Sequence, residues 1–205
     1  MRLIVLLVDA ELESAPRSAA DDRVPLLDAF YHREIMASLP GASRRGRGDI
    51  VHNTLLLCQG SALNRAGRLK VIVHTRDDKV IEVDEDADVH PNYIRFLQDM
   101  GELFKGEKVP GYRLSGKDLR TVVHAIETDL VVALSPSGEE VSLKDTFGMA
   151  GDGTVLVLIG AFPEGDFASP VYDIADVIVS LGPRLMRVPE VTSKVLHAVL
   201  ENGKG

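Results

Sequence analysis

Continuous apolar runs, rather than alternating ones, dominate the hydrophobic pattern of this chain. They lie at residues 1–9, 129–134, 154–159 and 177–180 and consist mainly of Val, Leu and Ile. Such runs are typical of strands in a parallel sheet that is covered on both faces. Glycine-bearing segments follow the last two runs, and in open α/β sheets ligands bind outside the carboxyl ends of the strands. This favours a ligand site near the end of the chain, although Gly160, Gly165 and Gly182 taken alone are also explained as ordinary turn glycines.

The segments between these runs carry helical periodicity or turn signals. Apolar residues three and four apart predict helices at residues 26–39, 50–59, 92–104, 118–126, 143–149 and 188–200. Two alternating stretches predict a hairpin of residues 69–75 and 79–83. The predicted loops are residues 11–24, as a loop or lid, and residues 61–67 and 107–116. Because strands alternate with helices, the pattern predicts an α/β fold with a largely parallel sheet.

A short basic loop at residues 43–49 lies in a chain whose formal net charge is −8. Arginines flanked by glycines can approach a phosphate backbone closely, but a solvated loop explains the same residues. Asp49 also has two possible roles. It is a good N-cap for the helix that follows, and its carboxylate can hold the guanidinium of Arg47. His52, one turn further on, is interpreted as a histidine with its hydrogen bonds satisfied.

Composition narrows the class of protein. With 205 residues, of which 45% are hydrophobic and 26% charged, the chain has the size and balance of a globular domain. No apolar run approaches the roughly 20 residues of a membrane span, so no membrane segment is expected. The acidic charge argues against a general nucleic-acid binder, but a focused basic patch is compatible with it.

Cysteine and histidine usage limits the chemistry. The single cysteine, Cys58, excludes an intramolecular disulfide and a multi-cysteine metal site, and it is interpreted as a small buried side chain. The six histidines show no paired metal-ligand spacing, so no metal is expected. The apolar run at residues 1–9 is too short for a signal peptide and is too soon followed by acidic residues. Together with the single cysteine, this predicts a cytoplasmic protein. No Walker loop, nucleophile elbow or Rossmann glycine motif occurs.

Several sequence blocks resemble one known family. They are Asp49-Ile50-Val51-His52, Asn64-Arg65-Ala66-Gly67, Asn92-Tyr93-Ile94-Arg95-Phe96 and Ile159-Gly160-Ala161-Phe162. In this order they resemble the small-subunit ribosomal RNA pseudouridine methyltransferases, the ribosome-biogenesis members of the SPOUT superfamily, in their archaeal form. The resemblance implies a single SPOUT domain over residues 1–205. It further implies a family-specific β/α extension at roughly residues 40–115 and a cofactor-binding region with a trefoil knot at roughly residues 130–205.

The resemblance also implies a cofactor and a reaction. The methyl donor would be S-adenosylmethionine, and the acceptor would be N1 of a pseudouridine in small-subunit rRNA. The implied cofactor-binding residues are Leu134, Gly160, Gly165, Asp166, Phe167, Leu181, Gly182, Pro183, Arg184, Leu185, Met186, Arg187 and Val188.

On the RNA side, the resemblance implies that Arg47 and Asp49 hold the substrate and carry catalysis, with Arg95 as a second contact. The family has two further arginines before the Arg–Phe pair. At these implied RNA-binding positions the chain has Asp88 and Pro91 instead, which weakens the local phosphate clamp. The candidates to compensate are His90, Arg65, Arg68 and the pair Arg44 and Arg45.

Two other functions stay open at this point: a ribosome-assembly factor that binds rRNA without catalysis, and a SPOUT methyltransferase that acts on tRNA. A homodimer is implied as well. An acidic monomer has one short basic loop, whereas two subunits can join their loops across one cleft.

Overall fold

The computed structural model describes residues 1–16, 18–19 and 23–202, which form strands and helices in alternation. The strands are β1 (Arg2–Ala10), β2 (Leu69–Thr75), β3 (Lys79–Val83), β4 (Tyr112–Gly116), β5 (Leu130–Glu140), β6 (Thr154–Gly160) and β7 (Val177–Ser180). The helices are α1 (Arg33–Met36), α2 (Gly48–Gln59), α3 (Ala62–Arg65), α4 (Tyr93–Phe104), α5 (Leu119–His124), α6 (Leu143–Gly148), α7 (Val171–Ile174) and α8 (Val188–Asn202).

Across the described ranges, the strands form a seven-stranded sheet in the order β4-β3-β2-β1-β6-β5-β7. The strands β2, β1, β6, β5 and β7 run parallel, and β3 and β4 add an antiparallel extension at one edge. The predicted α/β fold with a largely parallel sheet is confirmed.

Apolar cores cover both faces of this sheet. Alternate residues of β1 enter opposite cores: Leu3 and Val5 belong to the larger one, and Ile4 and Leu6 to the smaller one. Because both faces are covered, the strand reads as one apolar run. The larger core also takes side chains from α2, α4, α6 and α8, and the smaller core from α5 and α7.

The predicted helix at residues 26–39 is wrong except for the short α1. The Asp28 carboxylate accepts hydrogen bonds from the backbone N–H groups of Phe30 and Tyr31, at 2.9 and 3.1 Å. The backbone N–H of Ala29 donates to the carbonyl of Gly46, at 3.0 Å. These contacts use backbone groups that a helix would pair internally, so a turn forms instead.

The predicted loop at residues 107–116 is also wrong, because its second half is β4. This edge strand pairs with β3 from Tyr112 opposite Val83 to Gly116 opposite Lys79. The strand predicted at residues 129–134 continues as far as Glu140.

The two other predicted loops differ in outcome. The loop at residues 61–67 contains α3, which begins after Ser61, whose hydroxyl accepts from the Asn64 N–H at 3.1 Å. Of the loop or lid at residues 11–24, residues 17 and 20–22 lie outside the described residues. Its described part includes an isolated antiparallel bridge from Ser14 to Leu26.

The hairpin and the remaining predicted helices are confirmed, with small shifts at their ends. Cys58 is fully buried, as interpreted, and burial raises the pKa of its thiol to about 12. No helix in the described part of the chain combines the length and apolar character needed to cross a membrane.

Candidate functional site

A pocket lies at the carboxyl ends of β6 and β7 and beside the middle of β5, where the strand pattern predicted a ligand site. Leu134 from β5, Gly160 from β6 and Ser180 from β7 contribute to its wall. The other lining residues are Ser135, Pro136, Ile159, Phe162, Gly165, Asp166, Phe167, Val179, Leu181, Gly182, Arg184, Leu185, Met186, Val188 and Val191.

The structure brings most of the predicted cofactor residues together around this pocket. Leu134, Gly160, residues 165–167 and residues 181–188 line it, with the exception of Pro183 and Arg187. Their role in binding stays a prediction. Sequence reasoning missed several lining residues, among them Ser135 and Pro136. The signal for these two was their position directly after a predicted buried strand.

Gly160 allows an aromatic wall to pack against the end of β6. A Cβ atom on Gly160 would lie 2.6 Å from the ring of Phe162 and 3.3 Å from the ring of Phe167. These two rings meet edge to face, with centroids 5.5 Å apart. Any larger residue at position 160 would push Phe162 out of its place, so packing of the aromatic rings requires the glycine.

The pairing of β5 with β7 is interrupted by a bulge beside the pocket. Leu134 and Glu139 both pair with Val179 of β7, so residues 135–138 loop out between them. A Cβ atom on Gly138 would lie 2.7 Å from backbone atoms of Ile178 and Val179. Only glycine permits this close approach of two backbones. Residues 135 and 136 of this bulge belong to the pocket lining.

Asp9 fastens the loop after β6, a role that sequence reasoning missed. Its carboxylate accepts hydrogen bonds from the backbone N–H groups of Ala168 and Ser169, at 2.7 and 3.1 Å, and from the Ser169 hydroxyl at 2.5 Å. Asp9 is buried and has a positive φ of 53°, which aspartate tolerates better than most residues. A carboxylate on the first strand therefore holds one wall of a pocket formed near the end of the chain.

Tyr172 joins two other walls of the pocket. Its hydroxyl donates to the Asp166 carboxylate at 2.5 Å and lies 2.9 Å from the Ser135 hydroxyl. A single side chain thereby links the middle of β5 to the segment after β6.

Arg44 connects the basic loop of residues 43–49 to the pocket. Its Nη1 donates to the backbone carbonyl of Asp166 at 2.6 Å, and its guanidinium lies 3.8 Å from the centroid of the Phe162 ring. Its Nε donates to the buried Glu11 carboxylate at 2.8 Å. These contacts hold the basic loop directly beside two residues of the pocket lining.

Arg45 is also bound within the fold. It donates from Nε to the Glu13 carboxylate at 2.8 Å, and Arg76 donates to Glu11 at 2.9 Å. Burial raises the pKa of the Glu11 carboxyl, although Arg44 and Arg76 act to lower it. Because Arg44 and Arg45 pair with buried carboxylates, their contacts argue against them as replacements for the two arginines that the family resemblance implies.

The expected pair of Arg47 and Asp49 is present. Arg47 donates from Nε to Oδ1 of Asp49 at 2.7 Å and from Nη2 to Oδ2 at 2.8 Å. This hydrogen bonding raises the pKa of the Arg47 guanidinium above its ordinary value. Helix α2 has Arg47 as its N-cap residue and begins at Gly48, so the N-cap role predicted for Asp49 is wrong. Asp49 takes two of the five N–H donors of a guanidinium, and both side chains remain more than one third accessible.

The amino end of α4 packs beside the amino end of α2. A Cβ atom on Gly48 would lie 3.0 Å from the Tyr93 hydroxyl, and His52 shares a hydrogen bond of 2.8 Å with the carbonyl of His90. His52 is buried and satisfied, as interpreted. The fold thus brings the helix that carries Arg95 next to the helix that carries Asp49.

Asp88, Pro91 and Arg95 are all exposed around this end of α4. Of the other candidate arginines, Arg68 donates to the carbonyl of Met1 at 2.9 Å and Arg65 to that of Gly60 at 2.6 Å. Neither bond links its arginine to the basic loop. In the part of the chain that the structure describes, no group of three or more His, Cys, Asp or Glu side chains is placed to hold a metal ion.

Sequence comparison identifies relatives that span nearly the whole chain. The family model described as EMG1/NEP1 methyltransferase matches residues 5–200. The chain is 34% identical to the ribosomal RNA small subunit methyltransferase Nep1 of Methanothrix thermoacetophila, over 94% of this chain and 92% of the relative. It is 37% identical to the protein of the same name from Pyrococcus furiosus, over 83% and 85% of the two chains.

Structural comparison gives the same result. The chain is similar to the crystal structure of Archaeoglobus fulgidus Nep1 bound to S-adenosylhomocysteine, with a TM-score of 0.84, 28% sequence identity and full coverage of both chains. The family resemblance of the sequence blocks is confirmed. This chain belongs to the EMG1/NEP1 methyltransferase family.

Proposed function

We propose that this chain transfers a methyl group from S-adenosylmethionine to N1 of a pseudouridine in small-subunit ribosomal RNA. The contact between Arg44 and the Asp166 turn carries the proposal, because it sets a basic loop beside a pocket of backbone turns. The names of the relatives support an rRNA substrate. The S-adenosylhomocysteine bound to the structural neighbour is the demethylated form of the donor. The choice of N1 rests on the family resemblance of the sequence blocks.

The pocket lining suits such a donor. Leu134, Ile159 and Leu181 give apolar surface for an adenine ring, and the turns at residues 165–167 and 181–182 supply backbone polar groups. Pro183 and Arg187 complete the proposed donor-binding stretch at residues 181–188. The bound donor supplies an electrophilic methyl group on its sulfonium, so the chain itself has mainly to hold the acceptor in line.

On the acceptor side, Arg47 grips the RNA backbone near the target, and Arg95 adds a second contact. Pseudouridine N1 becomes nucleophilic when it loses its proton. Asp49 is a candidate to accept that proton, but both of its carboxylate oxygens already accept hydrogen bonds from Arg47. The pair therefore favours Asp49 as the residue that orients Arg47. Asp88 and Pro91 face the same substrate without contributing a cation.

Methyl transfer to defined RNA hairpins tests the proposal. Labelled S-adenosylmethionine should methylate a small-subunit rRNA hairpin that contains pseudouridine. The same hairpin with uridine should not react, because N1 of uridine is bonded to the ribose. Donor binding without transfer to any RNA would contradict catalysis, and transfer to tRNA alone would contradict the rRNA substrate.

A non-catalytic rRNA-binding assembly factor is the second candidate. The observation that favours it is the exposed position of Asp88 and Pro91, where the family resemblance implies arginines. Binding of the hairpin without methyl transfer is the result that this candidate predicts.

The proposal includes a homodimer in which two basic loops border one cleft. A net charge of −8 on each subunit makes a shared basic surface valuable for RNA binding. Sedimentation velocity at micromolar concentration should give the mass of a dimer, and a monomer alone would contradict this part. A trefoil knot within residues 130–205, a single domain with an extension at residues 40–115 and a cytoplasmic location complete the proposal.

A further inference from the structure

Two aromatic side chains protrude into solvent beside the basic loop. Phe30 is 80% exposed and Tyr31 is 53% exposed. Their rings meet edge to face, with centroids 5.2 Å apart and an interplanar angle of 88°. Apolar rings held in water are unfavourable, and adjacent exposed ones often mark a binding surface.

The turn that presents these rings is fixed by Asp28. Its Oδ1 accepts from the N–H groups of Phe30 and Tyr31, and its Oδ2 accepts from the Tyr93 hydroxyl at 2.7 Å. Its own N–H donates to Nδ1 of His32 at 3.0 Å. Asp28 and His32 are both buried. The rings are thus exposed on a turn whose base is anchored in the fold.

The same turn is joined directly to the basic loop. The N–H of Ala29 donates to the carbonyl of Gly46 at 3.0 Å, and a Cβ atom on Gly46 would lie only 2.8 Å from that nitrogen. Phe30 directly follows Ala29 in the chain, and Arg47 directly follows Gly46. Bonds of about 1.5 Å on either side of this 2.8 Å contact place the Cα atoms of Ala29 and Gly46 within about 6 Å of each other. Successive Cα atoms are about 3.8 Å apart, so the Cα atoms of Phe30 and Arg47 lie within about 14 Å of each other.

We propose that Phe30 and Tyr31 form a stacking platform for an unpaired nucleobase close to the methylated nucleotide. The inference rests on the proposed function and adds a base-binding subsite to it. Single-stranded RNA is bound by aromatic faces that stack on bases next to cations that hold phosphates. Phe30 and Tyr31 supply the faces, and Arg47 supplies the cation. This charge favours RNA over an apolar protein surface as the occupant.

The test is a double-mutant cycle between the platform and the RNA. Phe30→Ala should weaken binding of the pseudouridine hairpin by roughly 5- to 100-fold, the range for loss of one stacked base. Phe30→Trp, which keeps a flat face, should bind like the wild type. In a second series, each hairpin has one nucleotide replaced by an abasic one. At one position, the wild type and Phe30→Ala should bind the abasic hairpin with equal affinity, because the stacked base is already missing. Met149→Ala removes another exposed apolar side chain and serves as the matched control.

The outcomes separate this inference from the proposed function. If the wild type binds and methylates the hairpin but Phe30→Ala and Met149→Ala behave alike, the platform is wrong and the function stands. If the losses of binding free energy from Phe30→Ala and from the abasic substitution add at every position, the platform is also wrong. A shift of Phe30→Ala from dimer to monomer in sedimentation would assign the rings to a contact between copies instead. Failure of the wild type to bind the hairpin would overturn both.

Discussion

Replacing Arg47 with alanine is expected to weaken binding of the pseudouridine hairpin by about 10- to 100-fold, the loss expected for a charged hydrogen bond. Affinity for S-adenosylmethionine should not change, because Arg47 does not line the pocket. The binding constant for the hairpin should also depend less steeply on salt. The slope of its logarithm against the logarithm of salt concentration should become smaller in magnitude by about one, since one phosphate contact is lost. Filter binding over a salt series and calorimetry with the donor measure these effects.

Arg44 in the same loop provides the matched comparison. Arg44→Met keeps much of the side-chain length but removes the bond to the Asp166 carbonyl and the cation over Phe162. Donor affinity should therefore fall, by about tenfold. If Arg47→Ala lowers donor affinity as strongly as Arg44→Met does, the division of this loop into an RNA-binding and a pocket-supporting arginine is wrong.

Replacing Asp9 with alanine is expected to lower the free energy of unfolding by about 3–5 kcal/mol, the range for removing one partner of a buried charged network. Two backbone N–H groups would lose their acceptor, and Arg44 would lose a neighbouring carboxylate at 3.9 Å. Donor affinity should fall at least about tenfold because the loop after β6 is no longer fastened. Urea denaturation and donor calorimetry measure the two effects.

Two further variants keep this prediction testable. Asp9→Asn retains a residue that tolerates positive φ and one acceptor oxygen, so it should be intermediate in both measurements. Asp176 serves as the control, because its carboxylate also accepts a hydrogen bond from a backbone N–H group, that of Val131 at 2.8 Å. This bond lies near the start of β5, and Asp176 is exposed. Asp176→Ala should leave donor affinity unchanged. Equal donor affinity in the Asp9 and Asp176 variants would contradict the role assigned to Asp9.

Local patterns were sufficient for much of the sheet and for part of the site. Parallel strands covered on both faces require continuous apolar runs, so β1, β5, β6 and β7 were predictable, and their carboxyl ends located the pocket. The Arg47–Asp49 pair was predictable because two residues at a helix start are close whatever the rest of the fold does.

The errors arose where contacts between distant residues decide the local structure. The segment at residues 26–39 has helical spacing, but Asp28 bonds its own turn and Ala29 bonds Gly46, which no periodicity reveals. Asp9 looks like the polar end of an apolar strand, and its role depends on Ala168, 159 positions away. The strand β4 is an edge of five residues with only one buried side chain, so its apolar signal is weak.

The central position of β1 has a consequence for the order of assembly during synthesis. This strand is synthesised before the other strands of the sheet, yet it lies between β2 and β6, and Leu3 pairs with both Leu69 and Val155. The half of the sheet formed by β1 to β4 can associate while the second flank of β1 is still unpaired, which leaves an apolar edge open to aggregation until β6 arrives. Since the proposed donor pocket is built from β5, β6 and β7, we expect nascent chains to acquire affinity for the donor only when that edge has closed.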